Sequence, residues 1–521
     1  MKKKIAVLRN VAWVAAAGYI ESATGLLAGV LIARTLGPAE YGHYAFAIWT
    51  CGMLIMAGNN ALPGSSIKFI AEARGSGRDD VAAALASRFT RLQVASSSLV
   101  LLVFAAAMAW QPMADWREHL LAMIGIAVVG VWSRAGFWMW GAVGKGHELF
   151  VPENVTLMLT ALLNAAGVIA LALAGATALQ FFALYAALGV VSNLMLRRVL
   201  ARCGVRPAPG PIPPELVVRL RRHLWLTAIV MLLAMGCSRM VEMTLLKAHT
   251  NAETVGYFAI AGSLTKGAVD LLAGGMAAVL LPAMSRRFGE GGRGALGGML
   301  AESARLYWFA GLAIAGLGLT VCDGLVHLLY GHRYDGAIPV LMWSLVVAGL
   351  TVVSGAAAAV LVASDNQQDR VKVLSCTLTV NVAAGLWLIP RYGLNGAIAS
   401  FALTNVADMA MNWVFALRRV KVRLPAGPLA RQALAAAVAT ALGAEVVEDL
   451  HLSLAFAGGA TVFLLAYLAL CVRLRTFRTE EFELVAHLVG RLGPRARRMA
   501  THIAALQRYA IDVAAKTAPA A

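Results

Sequence analysis

Charge is scarce in this sequence. Asp, Glu, Lys and Arg make up only 14% of the 521 residues against 60% hydrophobic ones, and the mean hydropathy is +0.72. Soluble globules carry about a quarter charged residues, so a soluble fold is excluded and the chain needs lipid as its solvent. Strand-like alternation is missing too. The apolar runs are continuous and about twenty residues long, which excludes a membrane β-barrel and leaves helices that satisfy their own backbone amides. The six cysteines (Cys51, Cys203, Cys237, Cys322, Cys376 and Cys471) are scattered, mostly within or beside apolar segments, and no two have metal-ligand spacing. Their expected role is packing, with no disulfide. No Gly-rich loop ends in Lys-Ser/Thr, so the chain carries no ATPase of its own, and no serine, cysteine or zinc catalytic site is evident.

What the sequence does hold is fourteen apolar segments, near residues 10–33, 44–64, 93–110, 119–142, 152–174, 177–196, 223–246, 256–282, 304–322, 336–363, 371–389, 394–417, 429–447 and 452–472. The net charge is +18, yet the basic residues sit in short loops between these segments, the signature of topology rather than of nucleic-acid binding. When basic residues opening a segment are counted with the adjoining loop, the N-terminus, even-numbered loops and tail hold 37 of the 45 Lys and Arg. The odd-numbered loops hold 5 and the segments 3. The positive-inside bias places both termini in the cytoplasm, which requires an even number of spans. The first apolar run exceeds a signal-peptide core and lacks a small-residue cleavage site, so it reads as an anchor. No outward loop exceeds about sixteen residues, which leaves no room for an extracytoplasmic catalytic domain.

Residues 206–222 read as a linker, its RPAPGPIPP stretch stiffened by proline and flanked by arginine. The tail, 476–521, is amphipathic, with Phe482, Val485, Val489 and Leu492 at helical spacing, and turns basic through Arg495, Arg497 and Arg498. A helix lying on anionic lipid and a docking site for a partner enzyme both fit it.

One stretch repeats. LIARTLGPAEYGHYAFA, Leu31 to Ala47, ends one apolar helix, turns at Gly37-Pro38 and enters the next. A worn copy, LKAHTNAETVGYFAIA, begins at Leu246; laying Gly42 on Gly256 puts Tyr44 on Phe258 and Ala47 on Ala261. The two fall at the same place in two rows of six segments, which reads as a duplicated lobe. The same stretch, with LLYGHRYDGAIPVLMW from Leu328 and LIPRYGLNGAIAS from Leu388, resembles the polysaccharide-export (Wzx-type) flippases. These belong to the multidrug/oligosaccharidyl-lipid/polysaccharide (MOP) transporter superfamily. The resemblance covers roughly residues 8 to 475, and its motifs are structural turns.

It implies an all-α polytopic membrane protein of about 14 transmembrane helices. Two pseudo-symmetric six-helix lobes, 1–205 and 223–422, would be followed by two extra helices in 423–475. It further implies a bacterial inner-membrane transporter that flips a polyprenyl-pyrophosphate-linked oligosaccharide by alternating access for surface polysaccharide biosynthesis. Membrane lipid and other polysaccharide-assembly proteins would be its partners. A multidrug extruder of the same superfamily and a polytopic polymerase or ligase are the alternatives.

Ionisable residues within spans are costly and are therefore the candidate site residues. Glu21 lies in segment one, Arg134 in four, Arg239 and Glu242 in seven, Lys266 and Asp270 in eight, and Asp408 in twelve. Arg239 and Glu242 are three apart, Lys266 and Asp270 four apart, so each pair is placed to neutralise itself on one helix face. The alternative is that both pairs line a cavity, with Arg239 and Lys266 attracting phosphate. By resemblance Arg134 is the cation that receives an anionic head group; the other reading is neutralisation by Glu21 or another carboxylate. Glu21 and Asp408 are candidates for coupling to H⁺ or Na⁺. Asn59, Asn60, Asn164, Asn193, Asn381, Asn405 and Asn412 read as residues that join helices. Trp110, Trp116 and Trp387 read as an interfacial belt.

Overall fold

A computed structural model describes residues 2–112, 116–364, 367–420, 422, 424–449 and 452–477. The expected amphipathic tail, with Phe482, Val485, Val489, Leu492 and Arg495 to Arg498, lies outside the described residues. Those described are helical, with no strand among them. The helices are α1 (Lys2–Asn59), α2 (Leu62–Gly75), α3 (Asp79–Trp110), α4 (Leu120–Gly146), α5 (Val151–Leu173), α6 (Ala178–Arg202), α7 (Pro214–Cys237) and α8 (Met240–His249). They continue with α9 (Ala252–Val269), α10 (Gly275–Gly291), α11 (Leu296–Tyr330), α12 (Ala337–Thr351), α13 (Ser354–Ala363), α14 (Gln367–Arg419), α15 (Ala426–Asp449) and α16 (Leu452–Arg473).

Every one of the fourteen apolar segments falls on helix. Nine described helices are long and apolar enough to cross a membrane, or eleven when two bent pairs are each taken as one span. The longest carry two segments apiece. Within α1 the direction changes at Gly37 (φ 76°), in the recurring stretch, and within α14 at Gly393 (φ 53°), in the LIPRYGLNGAIAS motif. A positive φ costs an L-residue side chain roughly 1–2 kcal/mol, and glycine avoids it.

Other breaks were not expected. Segment seven is split into α7 and α8, bent by 45° at Ser238-Arg239, and segment ten into α12 and α13, bent by 45°. Segment eight contains a π turn over Asp270–Gly274. Broken helices expose backbone groups that need protein or water as a partner, so in membrane proteins they mark cavities and sites.

The described chain divides into two compact units. The first comprises Met1–Ile260, Tyr330–Gly336 and Leu378–Phe401. One of its cores gathers Phe69, Ile70, Leu85, Phe89, Phe137 and Leu196 from α2, α3, α4 and α6. A second core surrounds Trp116, which is 1% exposed and packs edge-on to Phe104. Trp116 is thus a core residue rather than part of an interfacial belt: its indole packs against Phe104 of α3 and Phe182 of α6. Trp110, by contrast, is 91% exposed.

Within this unit the recurring turns meet. The Tyr334 hydroxyl donates to the carbonyl of Ala33 at 2.6 Å, and its ring lies within 6.4 Å of Tyr41, Tyr257 and Tyr330. Gly42 and Gly256, the two residues that align between the copies, sit back to back. A Cβ on Gly42 would collide with the carbonyl of Ala252, and one on Gly256 would lie 2.8 Å from the carbonyl of Pro38. Only glycine permits these backbones to approach so closely.

The second unit comprises Ala261–Leu329, Ala337–Thr377 and Ala402–Ala521. Its cores gather Met284, Leu300, Tyr307, Val360 and Val420 in one cluster and Phe463, Tyr467 and Ala439 in another. Near the helix ends Arg419 reaches the buried Asp369 with two hydrogen bonds of 2.9 and 2.7 Å. In both units large apolar side chains such as Leu121 (87%), Leu173 (85%) and Leu465 (64%) stand exposed. Lipid is the solvent that tolerates them.

Candidate functional site

In the first unit Arg134 projects from α4 onto α6. Its guanidinium carbon lies 3.8 Å from the ring centroid of Tyr185, and Nη2 donates to the Tyr185 carbonyl at 3.3 Å. Nε is buried without a hydrogen-bond partner. No described carboxylate lies in ion-pair range of Arg134. A desolvated cation over an aromatic face gains about 2 kcal/mol, much less than a full counterion supplies. Arg134 therefore keeps donor capacity and net charge for an anion.

Arg239 and Glu242 make no direct ion pair, although the two charges act on each other. The helix break makes Arg239 the N-cap of α8, with a backbone conformation outside the regular helix. Its guanidinium carbon instead sits 4.1 Å from the Phe401 centroid and 5.0 Å from that of Phe258. Glu242 is 1% exposed; its Oε1 accepts from Asn381 Nδ2 at 2.7 Å and Ser400 Oγ at 3.4 Å, while Oε2 has no partner. The carboxylate is thus held by neutral donors with one oxygen left over, an arrangement able to take a proton or a small cation.

In the second unit Lys266 and Asp270 do pair, i to i+4, on an open face with side chains 77% and 59% exposed. The π turn starts at Asp270 and aims it at a cavity of about 500 Å³. Tyr307, Thr351, Ser354 and Asn405 supply its other polar groups among apolar walls. Ser354 Oγ also donates to Asp408 at 3.3 Å, which places that half-buried carboxylate behind the cavity lining. Hydroxyls, an amide and a carboxylate around an apolar chamber suit a hydroxyl-rich ligand. Glu21 lies on an exposed face of α1.

The polysaccharide biosynthesis protein family matches residues 7–288, more than half of the chain. The chain belongs to that family. No curated protein sequence matches it. Among solved structures, the lipid II flippase MurJ in an inward closed conformation is similar with a TM-score of 0.66 at 12% identity, over 88% of this chain and 97% of the other. An inward-facing multidrug resistance MATE transporter of the MOP superfamily reaches 0.62 at 13%, over 77% and 94%. A MOP superfamily transporter from Pyrococcus furiosus reaches 0.57 at 13%, over 78% and 93%. At these identities the likeness concerns the fold, which is that of the MOP transporters.

In this polysaccharide biosynthesis family protein each charged candidate has its own immediate partners within its unit. Arg134 stands with Tyr185, Arg239 with Phe258 and Phe401, Glu242 with Asn381 and Ser400, and Asp270 with the hydroxyl-lined cavity. Tyr185, Ser400 and Ser354 were missed from sequence, and Asn381 was read only as joining helices. They are neutral and common in apolar helices, which gives no signal in advance. Asn59 joins helices as expected, donating to the Ala135 carbonyl at 3.2 Å.

Proposed function

We propose that the protein is a flippase for a polyprenyl-pyrophosphate-linked oligosaccharide, carrying it from the cytoplasmic to the periplasmic leaflet of a bacterial inner membrane by alternating access. Arg134 carries this reading: an intramembrane guanidinium resting on an aromatic ring, with no described carboxylate to neutralise it, suits a pyrophosphate. The hydroxyl-lined cavity of the second unit suits sugar hydroxyls, and exposed apolar helix faces leave room for the lipid tail. The family description and the flippase and transporter neighbours support transport rather than catalysis. The lobes 1–205 and 223–422 are the halves that would move, both termini would lie in the cytoplasm, and Glu242 would take up the H⁺ or Na⁺ that drives the cycle. A cationic-drug extruder fits less well, because Arg134 and Arg239 would repel its cargo.

The test is replacement of Arg134 by alanine and, separately, by lysine in the native host at matched protein levels. With alanine, surface polysaccharide is lost and lipid-linked precursor accumulates; lysine restores part of the export. Normal export by the alanine variant would remove Arg134 from the transport path and refute the reading.

A further inference from the structure

A third feature lies on the other face of α4 from Arg134 and takes no part in that site. Trp132 and Trp140 of α4, Arg91 and Gln93 of α3, and Asn193 and Arg197 of α6 line a cavity of about 330 Å³ within the first unit. Its lining includes two arginines and no acidic residue. Arg197 lies 5.2 Å over the Trp140 ring, which orients its guanidinium at the cavity wall. Asn193 is only 5% exposed, yet its Oδ1 has no hydrogen-bond partner, and Gln93, 3% exposed, donates to Ser97 at 2.9 Å.

The surroundings identify the occupant. Leu92, Val94, Trp132 and Leu194 stand exposed beside the cavity, and in a chain solvated by lipid these are acyl-chain contacts. An occupant must join an anion to an apolar body. Two guanidiniums bind a phosphate through paired charge-assisted bonds. A choline head group adds a cation next to the arginines; a glycerol head group does not. We infer that this cavity is a binding site for an anionic phospholipid, seated at the wall that Arg91 of α3 and Arg197 of α6 share.

The full-length protein, purified and exchanged into mixed micelles with equal amounts of phosphatidylglycerol and phosphatidylcholine, tests this by native mass spectrometry. Phosphatidylglycerol is retained about tenfold over phosphatidylcholine, and Arg91→Gln with Arg197→Gln removes that preference. Asn193→Asp, which sets a carboxylate against the phosphate, does the same. Arg202→Gln, at the same end of α6 but outside the cavity lining, leaves it intact. Equal retention of the two lipids by the wild type, wild-type preference in the double arginine variant, or an equal loss in Arg202→Gln would each overturn the assignment. Displacement of the lipid by an equal concentration of soluble glycerol phosphate would overturn the lipid as occupant. Transport is not read in this experiment, so its failure leaves the flippase reading standing and the reverse.

Discussion

Glu242 and Arg239 sit three residues apart and act on each other through charge, yet their direct contacts differ. Asn381 and Ser400, which hold Glu242, lie 139 and 158 residues away in sequence, so no local spacing announces them. Glu242→Gln keeps an oxygen for the Asn381 amide but cannot ionise. It is expected to fold like the wild type, with an unchanged unfolding temperature, while its transport loses its response to an imposed proton or sodium gradient. A wild-type response would exclude Glu242 as the coupling group. Glu242→Leu leaves the Asn381 and Ser400 donors unmet and costs about 1–3 kcal/mol, read as a lowered unfolding temperature. The scarcity of intramembrane charge made the seven charged candidates legible from composition alone. Their neutral partners were not, because serine, asparagine and tyrosine are ordinary residues in apolar helices and gain meaning only from contacts between distant segments.

Helices and the turns between them carry most of what can be read in advance. The Gly37 and Gly393 turns and the matching of Gly42 to Gly256 were visible as motifs, since a tight reversal and a close backbone approach both demand glycine. The breaks at Arg239 and Asp270 were hidden, because a π turn or a bend leaves apolar composition unchanged. Gly42→Val drives a side chain into the carbonyl of Ala252 and is expected to lose about 1–3 kcal/mol by overpacking, whereas Gly52→Ala, in a helix interior with open space around it, keeps or slightly raises stability. Thermal unfolding of the two variants side by side checks this.

At the end of α2, Arg219 of α7 grips Glu72 with bonds of 2.6 and 2.7 Å and holds its carboxyl below the usual carboxylate range. A depressed folded-state value gives stability that is present above the unfolded value, about 4.3, and is lost as pH falls through the folded one. Glu72→Gln should therefore unfold at a lower temperature than the wild type at pH 7, with the gap closing below pH 4. A gap independent of pH would show that the contact is packing rather than charge.

For the molecule as a whole, little charge and long apolar runs sufficed to place it in lipid and to predict its helices, and the recurring turns pointed to the family. The cargo was not legible, because those motifs shape turns and do not touch ligand. The proposed cargo contacts are side chains from separate helices within each unit: Arg134 on Tyr185 in the first, and Asp270 among the hydroxyls of the second. The most direct test of the central claim is translocation itself. Purified protein in liposomes is given a fluorescent polyprenyl-pyrophosphate-linked oligosaccharide, and the fraction accessible to an external lectin is followed under proton and sodium gradients. The account predicts protein-dependent equilibration or accumulation across the bilayer, abolished by Arg134→Ala. No translocation above protein-free liposomes under any gradient would contradict it.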